Sequence, residues 1–359
     1  EDIRQSDWPV VALGEVCDIQ KGTSITKKQT KAGDVPVIAG GQKPAYFHNV
    51  SNREGDTVTV SGSGYAGFVN FFSIPIFASD CTTIKAKDGM GETKFVYYLL
   101  KEKQEMIYAL RKGMAQPHVY PKDLKRFKVP FPPLAVQREI LAEINAYQKI
   151  INGARQVVEN YTPHISIDPT WPVVKLGDVC QIFNGTTPST AVADYWDGDI
   201  VWITPADLGK LDGINIYSSG RKITEDSLKA TRLKLHPVGT VVLSSRAPIG
   251  HLGIAKIPLC TNQGCKSFIP SDDVNSEFLY FVLQSHVSDF QRLGSGSTFK
   301  EISKSKLERF QISLPPIQIQ EEMVAEIARE MELVNANKLL VAIFERKIKT
   351  KIAAVWGEQ

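Results

Sequence analysis

The side chains in this chain that could do chemistry are cations, amides and hydroxyls on turn-rich segments, set in no nucleophile or metal-ligand pattern. Lys21, Lys27, Lys28 and Lys31 crowd a segment that follows a strand-like run. Flexible cations in such a place can neutralise phosphates and make binding depend on salt; lysines simply solvated on a loop are the alternative. Arg246, in SSRAPIG, carries the planar fork that bonds guanine at two points, or else pairs with Asp207 or Asp226. Trp202 and Thr204, in VWITPADL, join a flat apolar face to a hydroxyl, and Trp202 suits a core equally well. Gln263, Lys266, Ser297, Thr298 and Lys300 add polar groups further along.

Catalytic patterns are missing. There is no GxxxxGK[ST] and no GxGxxG between a strand and a helix; SGSGYAG from Ser61 and GSGS from Gly294 read as tight turns. No Ser, His and Asp set stands at a nucleophile elbow. The double prolines lie in FPPL and LPPI, without the polar side chain that NPP[FYW] or DPP[FYW] offers a target amine, and no P-D is followed by E-x-K. Five cysteines suggest no disulfide framework. Cys17 and Cys180, at equivalent places in apolar phrases, read as small core residues. Cys260 and Cys265 would need two more ligands to hold zinc, and the six histidines supply none at a recognisable spacing. The expectation is a non-enzyme without catalytic residues, metal or cofactor.

The elements that must carry the polar residues are written twice. WPVVALGEVCDIQKGT from Trp8 returns as WPVVKLGDVCQIFNGT from Trp171, an offset of 171 − 8 = 163. LKRFKVPFPPLAVQREILAEI from Leu124 returns as LERFQISLPPIQIQEEMVAEI from Leu307, an offset of 307 − 124 = 183. The second copy has therefore gained 183 − 163 = 20 residues between a constant opening and a constant close. Runs such as DTVTVSG, GTVVLSS and DIVWIT predict strands, and KFVYYLLKEKQEMIYAL and EFLYFVLQSHVSDFQRL predict a short helix in each copy. Each copy is thus a mixed α+β domain.

A long helix follows each domain. Ile140, Ile144, Tyr147, Ile151, Ala154, Val158 and Tyr161 step alternately by four and three, and Ile327, Val334, Val341, Ile348 and Val355 recur every seven. Two matching seams in one chain predict an antiparallel coiled coil, the first helix being about 28 residues and about 42 Å long; the alternative is that each helix folds back on its own domain. Gly153 is a candidate kink. The expected boundaries are 1–132 and 166–315 for the two domains, 133–165 for a central helical spacer and 316–359 for a C-terminal one. With 359 residues, 43% hydrophobic and 23% charged, the composition is that of a soluble globular protein, and a net charge of +3 says little about partners. No apolar run is long enough to cross a bilayer and no signal peptide opens the chain, so a cytoplasmic location without membrane contact is expected. The first residue is Glu1 and not Met, as in a piece of a longer chain.

Two copies of W-x-x-V-x-L-G-[ED]-V-C with a downstream G-T, each closed by PPL or PPI, then Q-x-E-[IM] and a long helix, resemble the specificity subunits of type I DNA restriction-modification systems. NGTTPST, YWDGDIVWITPADL, GTVVLSSRAPIG, TNQGCKSF and GSTFKEIS in the second copy, and KGTSIT, VPVIAGGQKP, VSGSGYAGFV and FASDCTTI in the first, follow the family's order. The resemblance implies two target recognition domains, each reading half of a split sequence in double-stranded DNA. It implies helices that set the gap and dock two methyltransferase subunits, with S-adenosylmethionine on those partners, and an endonuclease-translocase subunit that can add to them. It also places Arg111, Lys112 and Gln116 on a loop against DNA, and Thr186, Thr187 and Ser189 in the family's G-T-x-P stretch. The short central helix departs from this pattern and is similar to specificity regions fused behind a methyltransferase in single-chain enzymes.

Overall fold

The computed structural model describes residues 8–296 and 300–358. They form two compact units, one holding the described residues up to Glu159 with those from Ala336 onward, the other Asn160–Asn335.

In the first unit the strand Thr57–Ser61 is buried at every position, as a strand covered on both faces must be. It pairs antiparallel with Val69–Phe72 and Cys81–Ala86, and Cys17–Lys21 pairs antiparallel on the far side of Cys81–Ala86. A smaller sheet sets Val35–Ile38 between antiparallel Tyr46–His48 and parallel Phe77–Ala78. The helix Thr93–Glu102 drives Phe95, Val96, Leu99 and Leu100 into the core, a spacing that puts all four on one face.

The second unit repeats this order. Cys180–Asn184, Cys265–Pro270, Val241–Ser245 and Ile249–Ala255 form its larger sheet, extended by parallel Asn215–Ile216. Trp196–Ile203 lies between antiparallel Lys222–Ile223 and parallel Leu259–Thr261. The length difference is concentrated in one place. Ile38 to Thr57 is 57 − 38 = 19 positions and Ile203 to Thr240, the counterpart of Thr57, is 240 − 203 = 37, so 18 of the 20 extra residues fall there. That stretch carries the helices Pro205–Leu208 and Glu225–Ala230 and two short strands.

The helix expected in each copy is two short helices, broken at Lys103 and at His286, equivalent positions whose backbones leave the helical region. The two long helices are Leu134–Asn160 and Ile317–Val355, and the first runs on through Gly153, which faces open space. Each is joined to the domain before it by a fully buried glutamine. Gln137 accepts from the Glu92 amide at 3.0 Å and donates to the Pro132 carbonyl at 2.8 Å. Gln320 accepts from the Asn275 amide at 2.9 Å and donates to Pro315 and Asp273.

Within the first unit the two helices run antiparallel. Lys351 pairs with Glu143, Arg155 with Glu345, and the Tyr147 and Phe344 rings lie 5.2 Å apart. Ile140, Ile144 and Ile151 are buried, with Ala154, while Ile352 and Val355 enter the same core and Ile348 packs on it. Tyr147, Val158, Val334 and Val341 are half-buried. Ile327 belongs to the core of the second unit, where Tyr161 also bonds Glu330 at 2.8 Å. Both expectations are therefore met in part: the helices pair, and their first turns also build the domain they follow.

All five cysteines are buried and free. Burial pushes the Cys17 and Cys180 thiols up to about 12. Among the described residues no group of His, Cys, Asp or Glu could hold a metal, and no helix is long and apolar enough to cross a membrane.

Candidate nucleic-acid interface

Three loops gather at one end of the larger sheet in each unit. The first follows the G-T phrase. A Cβ on Gly22 would stand 2.2 Å from the Ser79 carbonyl oxygen, and one on Gly185 would stand 1.9 Å from that of Asn262. Glycine is required because two backbones cross there. The amides after them close the crossing, Thr23 to the Ala78 carbonyl and Thr186 to that of Thr261, each at 2.9 Å.

The second loop joins Thr57–Ser61 to Val69–Phe72 in the first unit and Val241–Ser245 to Ile249–Ala255 in the second. In the first unit it is Gly62–Phe68, with Gly64 and Gly67 at positive φ, as SGSGYAG predicts for a tight turn. Its counterpart holds Arg246 and Ala247. The third loop is a two-residue-wide ribbon. Lys112 and His118 exchange both backbone bonds at 2.9 Å, and 183 positions on Ser295 and Glu301 do the same at 3.0 Å. Each ribbon leans on the second loop, through the Val119 amide to the Gly62 carbonyl and the Ile302 amide to that of Ser245.

In the first unit Lys21, Lys27, Lys28 and Lys31 are all exposed, Lys27 and Lys28 on one 3₁₀ turn closed by Thr26 and Gln29. Arg111 donates to the Ala66 carbonyl at 2.6 Å and lies 4.0 Å over the Tyr108 ring, so it braces the ribbon. Lys112 pairs with Asp123 at 2.7 Å but stays 56% exposed. Gln116 is exposed on the ribbon, beside Met114 at its tip.

In the second unit Thr187 bonds Gln263, and Ser189 is exposed. A cleft of about 530 Å³ runs from Asn184 and Gly185 past Gln263 to Glu301 and Lys304. Arg246 is half-buried; among the described residues it pairs with neither Asp207 nor Asp226, and its Nε would lie 3.3 Å from a Cβ on Gly264. Lys300 is exposed, whereas Ser297 and Thr298 lie outside the described residues.

Three expected contact residues turn out to be structural. Trp202 is 3% exposed, packed at 5.1 Å edge-to-face on Trp196, with its indole N–H on the Thr186 carbonyl at 3.0 Å. Val201, Trp202 and Ile203 are all buried, so this end of the strand is covered on both faces and leaves no open side for an indole to show. Lys266 is 3% exposed, and its ammonium bonds Ser245 Oγ and Glu301, both at 3.0 Å. Buried and paired, it cannot reach a phosphate. The Thr204 hydroxyl caps the helix Pro205–Leu208 and bonds Asp207 at 2.6 Å.

Sequence reasoning offered Asp207 only as an ion-pair partner for Arg246, although T-P-A-D is a capping-box pattern. Asp207 also accepts from the Gly220 amide at 3.0 Å and so ties down the inserted segment. Arg221 was passed over. Its guanidinium lies 3.6 Å over the Trp196 ring, and no spacing rule predicts that contact.

Known proteins give this arrangement a family. The type I restriction modification DNA specificity domain matches residues 5–160 and again 169–329. The MjaIX specificity subunit of a type I restriction enzyme from Methanocaldococcus jannaschii is 38% identical over 192 residues, 53% of this chain and 44% of that one. The EcoR124I/EcoR124II specificity subunit from Escherichia coli is 27% identical over 56% of this chain and 50% of its own length. These two alignments thus span about half of each relative. Among solved structures, a chain from work on assembly and conformational transition of the type I restriction-modification system superposes with a TM-score of 0.64 at 20% identity, covering 98% of both chains. The S subunit from M. genitalium gives 0.56 at 17%, covering 97% of this chain and 96% of that one, so the fold is shared. Two matches to one domain model, on two copies of one frame, mean that the chain belongs to the type I restriction-modification DNA specificity family.

Proposed function

We propose that this chain is the DNA-sequence reader of a type I restriction-modification complex, each unit reading one half of a bipartite target. The observation that carries the reading is the duplicated loop cluster: an invariant backbone crossing and a paired ribbon recur at matching positions, while the side chains they present differ. Constant frames with variable loops are what two independent half-site readers require. The exposed cations of the first unit supply phosphate contacts that fix register, and a few side chains read bases.

The chain itself carries out no reaction. Two methyltransferase subunits, which bind S-adenosylmethionine, dock on its helices, where Ile150, Val157 and Leu339 are exposed apolar residues. A repeated frame offers two equivalent docking surfaces, so two partner copies follow from pseudo-symmetry. An endonuclease-translocase subunit adds to that core, and the assembly works on DNA in the cytoplasm.

The test is a map of methylated adenines in cells that carry the complex. The expected result is a split motif, and exchange of residues 1–130 for another recognition domain should rewrite one half and leave the other intact. A change in both halves, or no duplex binding with methyltransferase subunits present, would refute the reading.

A further inference from the structure

The inserted segment of the second unit folds over an aromatic platform that the first unit lacks. Trp196 and Trp202 meet edge-to-face, and in the first unit the parallel-paired strand has Val37 at the place of Trp202. The guanidinium of Arg221 sits over this platform, its Cζ 3.6 Å from the centroid of the Trp196 ring and 5.9 Å from that of Trp202. Its backbone is fixed on both sides: Ser219 Oγ donates to the Arg221 carbonyl at 2.5 Å and accepts from the Trp202 amide, and the Gly220 amide is held by Asp207. The same two indoles hold the G-T loop through the Thr186 and Ser189 carbonyls.

Arg221 is nevertheless exposed. Asp197, Asp199 and Asp226 lie on flanking elements, and among the described residues none forms an ion pair with it. A stacked guanidinium keeps its plane fixed while its outer N–H groups stay free, and such an orientation loses little further freedom on bonding a base. A flexible cation suffices for a phosphate; a fixed fork is what a base edge needs.

We infer that Arg221 is a specificity-determining residue that bonds a guanine edge in the half-site of the second unit. This rests on the reading of the chain as a DNA reader. The experiment uses the full chain with its methyltransferase partners, selecting bound duplexes from a randomised library for wild type, Arg221→Ala and Arg221→Lys. Both variants should lose preference for guanine at one position of the second half by roughly tenfold or more. The first half should stay unchanged, which also shows that the variants are folded. An unchanged second half, an even loss at every position, or a lysine variant that keeps the preference overturns the inference. Wild type that selects no bipartite motif overturns the reading beneath it instead.

Discussion

Replacing Lys266 and Glu301 separately distinguishes a structural ion pair from a DNA contact. The Lys266 side chain is 4% exposed and that of Glu301 39% exposed, at a separation of 3.0 Å. Glu301→Ala strands an ammonium in a buried place with only Ser245 Oγ left to accept from it, at a cost of about 3 kcal/mol or more. Lys266→Met removes the buried charge and leaves a carboxylate that water already reaches, so its cost should stay within about 1 kcal/mol. The order is therefore the reverse of what burial of the mutated residue alone would suggest. Hydrogen exchange of the amides in Val241–Ser245 and Cys265–Pro270 reads it directly, and about 3 kcal/mol corresponds to roughly hundredfold faster exchange. Lys266→Met should also leave the salt dependence of DNA binding unaltered, whereas loss of a phosphate contact lowers the slope by about 0.9. A methionine variant less stable than the alanine variant, or one with a shallower slope, would refute the reasoning.

Burial, helped by Lys234, pushes the His236 imidazole down from 6.5 to about 4. The unfolded chain then binds more protons between those values, so this contribution to stability is full above pH 6.5 and is lost on acidification toward pH 4, by up to roughly 3 kcal/mol; His236→Phe should flatten that part of a stability-against-pH curve. Gly185→Ala puts a methyl 1.9 Å from a backbone oxygen, and should lower the thermal midpoint of the second unit by many degrees while an exposed control, Gly153→Ala, does not. Lys27→Ala and Lys28→Ala should each lower the salt slope of duplex binding by about 0.9 without changing the motif; an unaltered slope would make them solvated lysines.

The repeat and the helical seam were legible because they rest on local period. Ile144, Ile151, Ile348 and Val355 sit where a seven-residue rhythm puts them, and DTVTVSG and GTVVLSS became strands because β-branched runs between turns have few other outcomes. The G-T glycines were legible as a motif and opaque as a cause, since the chain that crosses them comes from Ser79 and Asn262, far along the sequence. Trp202 and Lys266 failed for a shared reason. Residues 201–203 and 265–268 are each buried at every position, with no alternation there to tell inside from outside, and the acid that keeps Lys266 buried is 35 residues away. Arg221 was hidden because its stacking partner lies across the fold rather than at a fixed spacing.

The last turns of the C-terminal helix complete the core of the opening domain: Ile352 and Val355 are buried there, and Trp356 meets Phe127 at 6.4 Å. On the other side Ile165, just past the central helix, is buried in the second domain. A truncation that removes Ile352 and Val355 would thus loosen the first unit while leaving every residue of its sheets in place, so a lesion's position along the sequence does not say which unit it damages.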